Sequence, residues 1–145
     1  MIIYLASDHA GFALKEKIKA VLESEGYETK DLGPLSFNPD DDYPDFVKLA
    51  AEEVSRNPRN SKAIVLGGSG QGEAMVANRY KNARAAVYYG GPEEIIKLSR
   101  EHNDANILSL GARFLKEDEA LKAVKLWLET DFSQEERHKR RVEKF

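Results

Sequence analysis

The strongest constraint on this chain is a rhythm: short apolar runs suited to β-strands recur along it, separated by stretches with helical spacing. IIYLAS (2–7) reads as a strand. FALKEKIKAVLESEG (12–26) places Phe12, Leu14, Ile18, Val21 and Leu22 at helical intervals and stops at Gly26, which suits the left-handed conformation that closes a helix. A short strand is expected over 27–32, then a loop, GPLSFNPDDD (33–42), rich in turn residues. DYPDFVKLAAEEVSR (42–56) has Asp42 as a candidate cap and Pro44 in its first turn, both ordinary helix openers. Strands follow at 62–68, 83–89 and 106–111, with helices over 72–80, 92–103 and 116–130 and a basic C-terminal helix over 133–145. Strands separated by helical stretches of about 10–15 residues predict βαβ units. The expectation is one α/β domain over 1–145, a Rossmann-like three-layer αβα sandwich with a five-stranded parallel sheet in the order 2-1-3-4-5.

Such sheets bind ligands beyond the carboxyl ends of the strands, where the strand order reverses. Strands 1 and 3 flank that point in the expected order. Their following loops are SDHAG (7–11) and GGSGQGE (67–73), the two most unusual loops in the chain.

Composition removes several function classes. The net charge of −3 gives nucleic acid or an anionic membrane no electrostatic foothold. No apolar run approaches the roughly 18–20 residues that span a bilayer, and the start MIIYLASDHAG lacks the basic opening of a signal peptide, so a cytoplasmic protein is expected. The absence of cysteine excludes disulfides and thiolate chemistry. No histidine pair has the spacing that zinc favours on a helix, so no metal is expected.

Four glycines, Gly67, Gly68, Gly70 and Gly72, fall within six positions between an apolar run and a helix. Gly68 and Gly70 begin a dinucleotide fingerprint, but Glu73 stands where its third glycine belongs, and a phosphate-binding P-loop would need a lysine that is missing. What remains is general: unhindered N–H groups at a helix start stabilise an anion, whether a phosphate or an oxyanion formed during a reaction. The plain alternative is a tight turn that needs glycine for geometry. Glu73 lies in the first helical turn. It reads either as a surface residue complementing the helix dipole or as a general base beside an oxyanion cradle, placed to take a proton next to a carbonyl. A helix start would lower its pKa, and desolvation would raise it.

The three histidines are His9, His102 and His138. Each has charged neighbours, and solvated or hydrogen-bonded roles are the plain reading. In RHKRR (137–141), Arg137 and Arg141 are four apart, hence on one helix face, and can together clamp a phosphate.

SDHAGFALK (7–15), DDDYPDF (40–46), GGSGQGEAMVANR (67–79), SREHNDAN (99–106), LGAR (110–113) and RHKRR (137–141) together resemble, in order and spacing, the type B ribose-5-phosphate isomerases, the family that also holds galactose-6-phosphate isomerase subunits. The resemblance implies an enzyme that interconverts an aldose phosphate and a ketose phosphate through a cis-enediolate, without metal or nucleotide cofactor, as a homodimer or tetramer. It implies that Asp8 and His9 bind substrate, with His9 near the phosphate, and that Tyr43 lines the pocket. Gly68, Gly70, Gln71 and Gly72 would supply donors to the enediolate and Ser69 a hydroxyl. His102 would open the sugar ring, Asn103 would bind a substrate oxygen, and Arg113, Arg137 and Arg141 would bring positive charge and hold the phosphate.

Many members of that family use a cysteine base at the position of Gly67, which this chain cannot do. A subgroup has glycine there and a glutamate six residues later, a pattern that Gly67 and Glu73 match. His102 falls at the end of a helix, before a strand, at the opposite sheet edge from His9 and Glu73. A composite site is therefore expected, with His102 and Asn103 supplied across a twofold interface. The preferred substrate pair is ribose 5-phosphate and ribulose 5-phosphate. The alternatives are the same chemistry on a four- or six-carbon phosphate or an unphosphorylated branched sugar, and a non-catalytic sugar-phosphate binding protein.

Overall fold

A computed structural model describes all residues from Met1 to Phe145. The elements run β1 (Ile2–Ser7), α1 (Phe12–Ser24), β2 (Glu28–Asp31), α2 (Tyr43–Arg56), β3 (Ser61–Gly67), α3 (Gln71–Ala77), β4 (Ala85–Tyr88), α4 (Glu94–Glu101), β5 (Ile107–Gly111), α5 (Glu117–Glu129) and α6 (Glu136–Val142). All five strands are parallel. The helical periodicity of α1 buries Ile18 and Leu22, and Gly26 closes the helix with φ +86°, the left-handed geometry its lack of a side chain allows. Asp42 does precede α2, but its side chain makes no capping hydrogen bond; its carbonyl accepts from the Asp45 N–H instead. The last helix is shorter than expected, starting at Glu136 rather than at residue 133.

The sheet order is β2-β1-β3-β5-β4, not 2-1-3-4-5. The burial of the two strands explains the exchange: every residue of β5 (ILSLG) is buried, whereas in β4 (AAVY) only Tyr88 is, so β5 takes the interior place and β4 the edge. Right-handed crossovers then fix the helix layers. Connections moving one way across the sheet put α2 and α3 on one face, over Tyr4, Ala6, Val47, Val54, Val65 and Ile107. Those moving back put α1 and α4 on the other face, where α5 joins them over Ile3, Leu5, Ile64, Leu108 and Trp127. No helix is long and apolar enough to cross a membrane.

The strand order has one consequence for function. The order still reverses between β1 and β3, but the loop that follows β5 now borders the glycine-rich turn that follows β3.

Candidate active site

Three loops meet at the carboxyl edge of β1, β3 and β5. After β1 the Asp8 N–H donates to the Leu66 carbonyl at 3.3 Å, and Asp8 Oδ1 accepts from the N–H groups of Ala10 (2.9 Å) and Gly11 (3.2 Å). Gly11 is pressed on β3, where an added Cβ would lie 2.6 Å from Leu66 Cβ. Asp41, from the long loop before α2, receives both the backbone N–H and Nδ1 of His9 on one oxygen, each at 2.8 Å. That bond assigns the proton to Nδ1 and leaves Nε2 for a ligand. It is also the main reason the His9 pKa is raised; burial opposes it, and the charges of Asp8 and Asp41 add to it. The second oxygen of Asp41 is buried without a hydrogen-bond partner.

The turn after β3 is pinned by β5. Ser109 Oγ donates to the Gly70 carbonyl at 2.5 Å, while the Ala112 and Arg113 N–H groups donate to Gly67 (2.8 Å) and Gly68 (3.1 Å). Gly70 adopts φ +77°, and a Cβ on it would sit 2.9 Å from the Leu110 carbonyl carbon, so glycine serves both geometry and close approach. Ser69 Oγ accepts from the Gln71 N–H at 3.3 Å. A Cβ on Gly72 would meet the Tyr43 hydroxyl at 2.5 Å, and one on Gly68 would reach Arg113 Nη1 at 3.3 Å, which places both side chains at the rim.

Glu73 is not a surface residue. It is 3% exposed, and its carboxylate occupies the space where a Cβ on Gly67 would stand. Burial raises its pKa, the nearby charge of Asp8 adds to the effect, and its own backbone N–H offsets part of it. Of the two opposed effects expected from the sequence, desolvation prevails over the helix start. The result is a poorly solvated carboxylate bordering the backbone N–H groups of the glycine turn, an arrangement suited to moving a proton on carbon next to a stabilised oxyanion.

His102, Asn103, Arg137 and Arg141 stand apart from these loops. His102 ends α4, on the side where β5 begins, so the five residues of β5, roughly 17 Å of strand, separate it from the carboxyl edge. Asn103 lines a cavity of about 680 Å³ together with Arg84, Ala105, Val142 and Phe145. Arg137 and Arg141 are exposed on α6, and Arg137 Nε is 2.8 Å from Glu135. The chain thus brings together Asp8, His9, Tyr43, Ser69, Gly68, Gly70, Gln71, Gly72, Glu73 and Arg113, and keeps the other four predicted residues at the far edge.

The ribose/galactose isomerase family model matches residues 3–145. The chain belongs to this family. It is 43% identical over 143 residues to ribose-5-phosphate isomerase B of Mycolicibacterium paratuberculosis, covering 99% of this chain and 88% of that protein. Among solved structures, ribose-5-phosphate isomerase B of Mycoplasma genitalium with bound ribulose-5-phosphate superposes with a TM-score of 0.94 at 38% identity, over 99% of this chain and 92% of that one. The enzyme of the same name from Clostridium thermocellum gives 0.92 at 42% identity, over 99% and 94%.

Two residues of this ribose/galactose isomerase chain escaped the sequence reading. Asp41 lay inside DDDYPDF, but nothing local links it to a histidine 32 positions away. His138, expected among solvated charges, is 1% exposed and packs on His102. Its burial comes from α4, which no neighbouring residue of α6 reveals.

Proposed function

We propose that this protein is an aldose–ketose isomerase that interconverts ribose 5-phosphate and ribulose 5-phosphate, with Glu73 as the base. The observation that carries the reading is Glu73: a buried carboxylate, beside the backbone N–H groups of the glycine turn, in a chain without a thiol. Glu73 takes the proton from C2 of the open-chain aldose as negative charge moves onto O1. The N–H groups of Gly68, Gly70, Gln71 and Gly72, with the Ser69 hydroxyl, hold that charge. Glu73 then returns the proton to C1 while a proton passes between the two oxygens, giving the ketose. His9, whose cationic form Asp41 favours, and Arg113 attract the phosphate-bearing substrate to this edge, where Asp8 and Tyr43 complete the wall.

His102 and Asn103 serve the same reaction from a second copy of the chain, and Arg137 and Arg141 come with them. Their separation from Glu73 supports this: a site using both edges of one sheet is completed only where two chains place opposite edges together. A homodimer is the smallest such assembly, and a tetramer of such dimers satisfies the same geometry. No cofactor enters this chemistry, and a cytoplasmic setting fits a substrate of central sugar metabolism.

The test is direct. The purified protein should convert ribose 5-phosphate to ribulose 5-phosphate and exchange the C2 proton with solvent deuterium. Glu73→Gln should lose about 10²–10⁴-fold in both, the usual worth of a general base. A variant with near-full rate would remove Glu73 from the mechanism. A comparison of kcat/KM over four- to six-carbon aldose phosphates identifies the preferred sugar.

A further inference from the structure

Two imidazoles meet at the amino edge of the sheet. The ring centroids of His102 and His138 are 4.1 Å apart with planes inclined by 42°. His138 is buried, with Nδ1 at 2.8 Å from Ser133 Oγ. Ser133 is in turn fastened to α4, for its N–H donates to the carbonyl of Glu101, the residue before His102, at 3.1 Å. Four residues therefore close a ring of contacts through the Glu101–His102 peptide link: Glu101 holds Ser133, Ser133 holds His138, and His138 packs on His102. Ser133 Oγ also accepts from the Glu135 N–H at 3.4 Å, which fixes the hydroxyl that partners His138 Nδ1.

We propose that His138 is a positioning residue for sugar ring opening, holding the His102 imidazole in the orientation that reaches the ring oxygen. This rests on the reading of His102 as the ring-opening group. His102 sits just past the end of α4, half-exposed, with freedom about its side-chain bonds unless something packs on it. Misplacing a reacting group by about 1 Å can cost around 10²-fold. Neutrality matters as much as packing. Burial pushes the His138 pKa down, His102, Arg137 and Arg141 push it the same way, and only Glu135 opposes them. From α4, His102 itself is the titratable group packed against it. A cationic ring here would set a positive charge against the His102 imidazole; a neutral one does not.

The two sugars separate ring opening from the proton transfer at carbon. Ribose 5-phosphate is mostly a furanose, whereas ribulose 5-phosphate stays open because the oxygen that would close its ring carries the phosphate. Exchange of the ribulose 5-phosphate C1 proton with solvent therefore needs the base but not ring opening. His138→Ala should lose about 10-fold or more in kcat on ribose 5-phosphate, with exchange from ribulose 5-phosphate changed less than about twofold. His138→Phe, which keeps the packing, should recover most of the loss. His138→Asn, which keeps only the bond to Ser133, should not, and it carries the same comparison if the alanine variant does not fold. Equal losses in both reactions, or no loss in either, overturn the proposal. His102→Asn, measured alongside, separates the two readings. If it spares ribose 5-phosphate turnover, the ring-opening role fails and the proposal falls with it. If it is selective and His138→Ala is not, only the proposal falls.

Discussion

The carboxylate of Glu73 stands where the side chain of residue 67 would be, so Gly67 and Glu73 divide one space between them. Any residue with a Cβ at position 67 must push the carboxylate out of its buried seat beside the glycine turn. A base carried by position 67 and one carried by position 73 are thus sterically exclusive in this backbone.

This exclusion predicts strong non-additivity. Gly67→Ala should reduce kcat nearly as far as Glu73→Gln, about 10²-fold or more, because it displaces the proposed base without touching its chemistry. The double variant should be no worse than either single one, as for residues that act as a unit. A kcat matrix of the four proteins checks this; additive losses would mean that Gly67→Ala acts by some other route.

Burial of Glu73 should also cost stability. Its folded pKa lies above the ordinary 4.5, so the fold favours the protonated form. The stabilisation of that form is complete below the unfolded pKa and is lost as pH rises through the folded one. Glu73→Gln keeps the shape and removes the charge. It should therefore raise the unfolding free energy at neutral pH by about 0.5–2 kcal/mol, the range of common single stabilising substitutions, and the gain should fade near pH 4. Denaturant melts at about pH 4 and 7.5 measure it; an equal gain at both would place its origin outside ionisation. The same shift moves the acid limb of kcat/KM to higher pH than an ordinary glutamate would give, and Asp8→Asn, which still accepts from Ala10 and Gly11, should move that limb down.

The layered fold was legible because most strands and helices declare themselves within their own residues: Gly26 ends α1 as its position suggests, and β1, β3, β4 and β5 fall on apolar runs, while β2 (ETKD) is polar and lies inside the short strand expected over 27–32. The order of the last two strands was not, since alternation of elements says nothing about which side of the sheet a crossover takes. A clue lay in composition, ILSLG being apolar enough for the interior and AAVY following a charged turn. Position in that order decides whether Arg113 borders the glycine turn, so a modest topological difference carries functional weight. The partnership of His9 with Asp41 and the burial of His138 are long-range, and no periodicity encodes them.

The Asp41–His9 bond should govern affinity more than turnover. Asp41 raises the pKa of His9 and so keeps the imidazole cationic to higher pH than an ordinary histidine. Asp41→Asn removes that support, and at pH 7.5 a larger share of His9 becomes neutral. The KM for ribose 5-phosphate should rise roughly tenfold, with kcat little changed. The difference should shrink as pH falls and His9 recharges. NMR titration of His9 in both proteins, set beside KM over the same pH range, tests the link; a KM change that ignores pH would assign Asp41 a structural role alone.

The separation of His102 from Glu73 across the sheet predicts rescue between two dead proteins. In the proposed homodimer, Glu73→Gln and His102→Asn should each be strongly impaired, since every composite site would lack one group. In a mixed dimer, one site receives both substituted residues and the other receives neither. Random exchange of equal amounts makes about half the dimers mixed, so about a quarter of all sites become intact. Activity should therefore climb from near zero toward a quarter of the wild-type value after the two variants are unfolded together and refolded, or co-expressed with different tags and purified through both. If Glu73 and His102 served the same site from one chain, every site in the mixture would carry one lesion, and no rescue would follow.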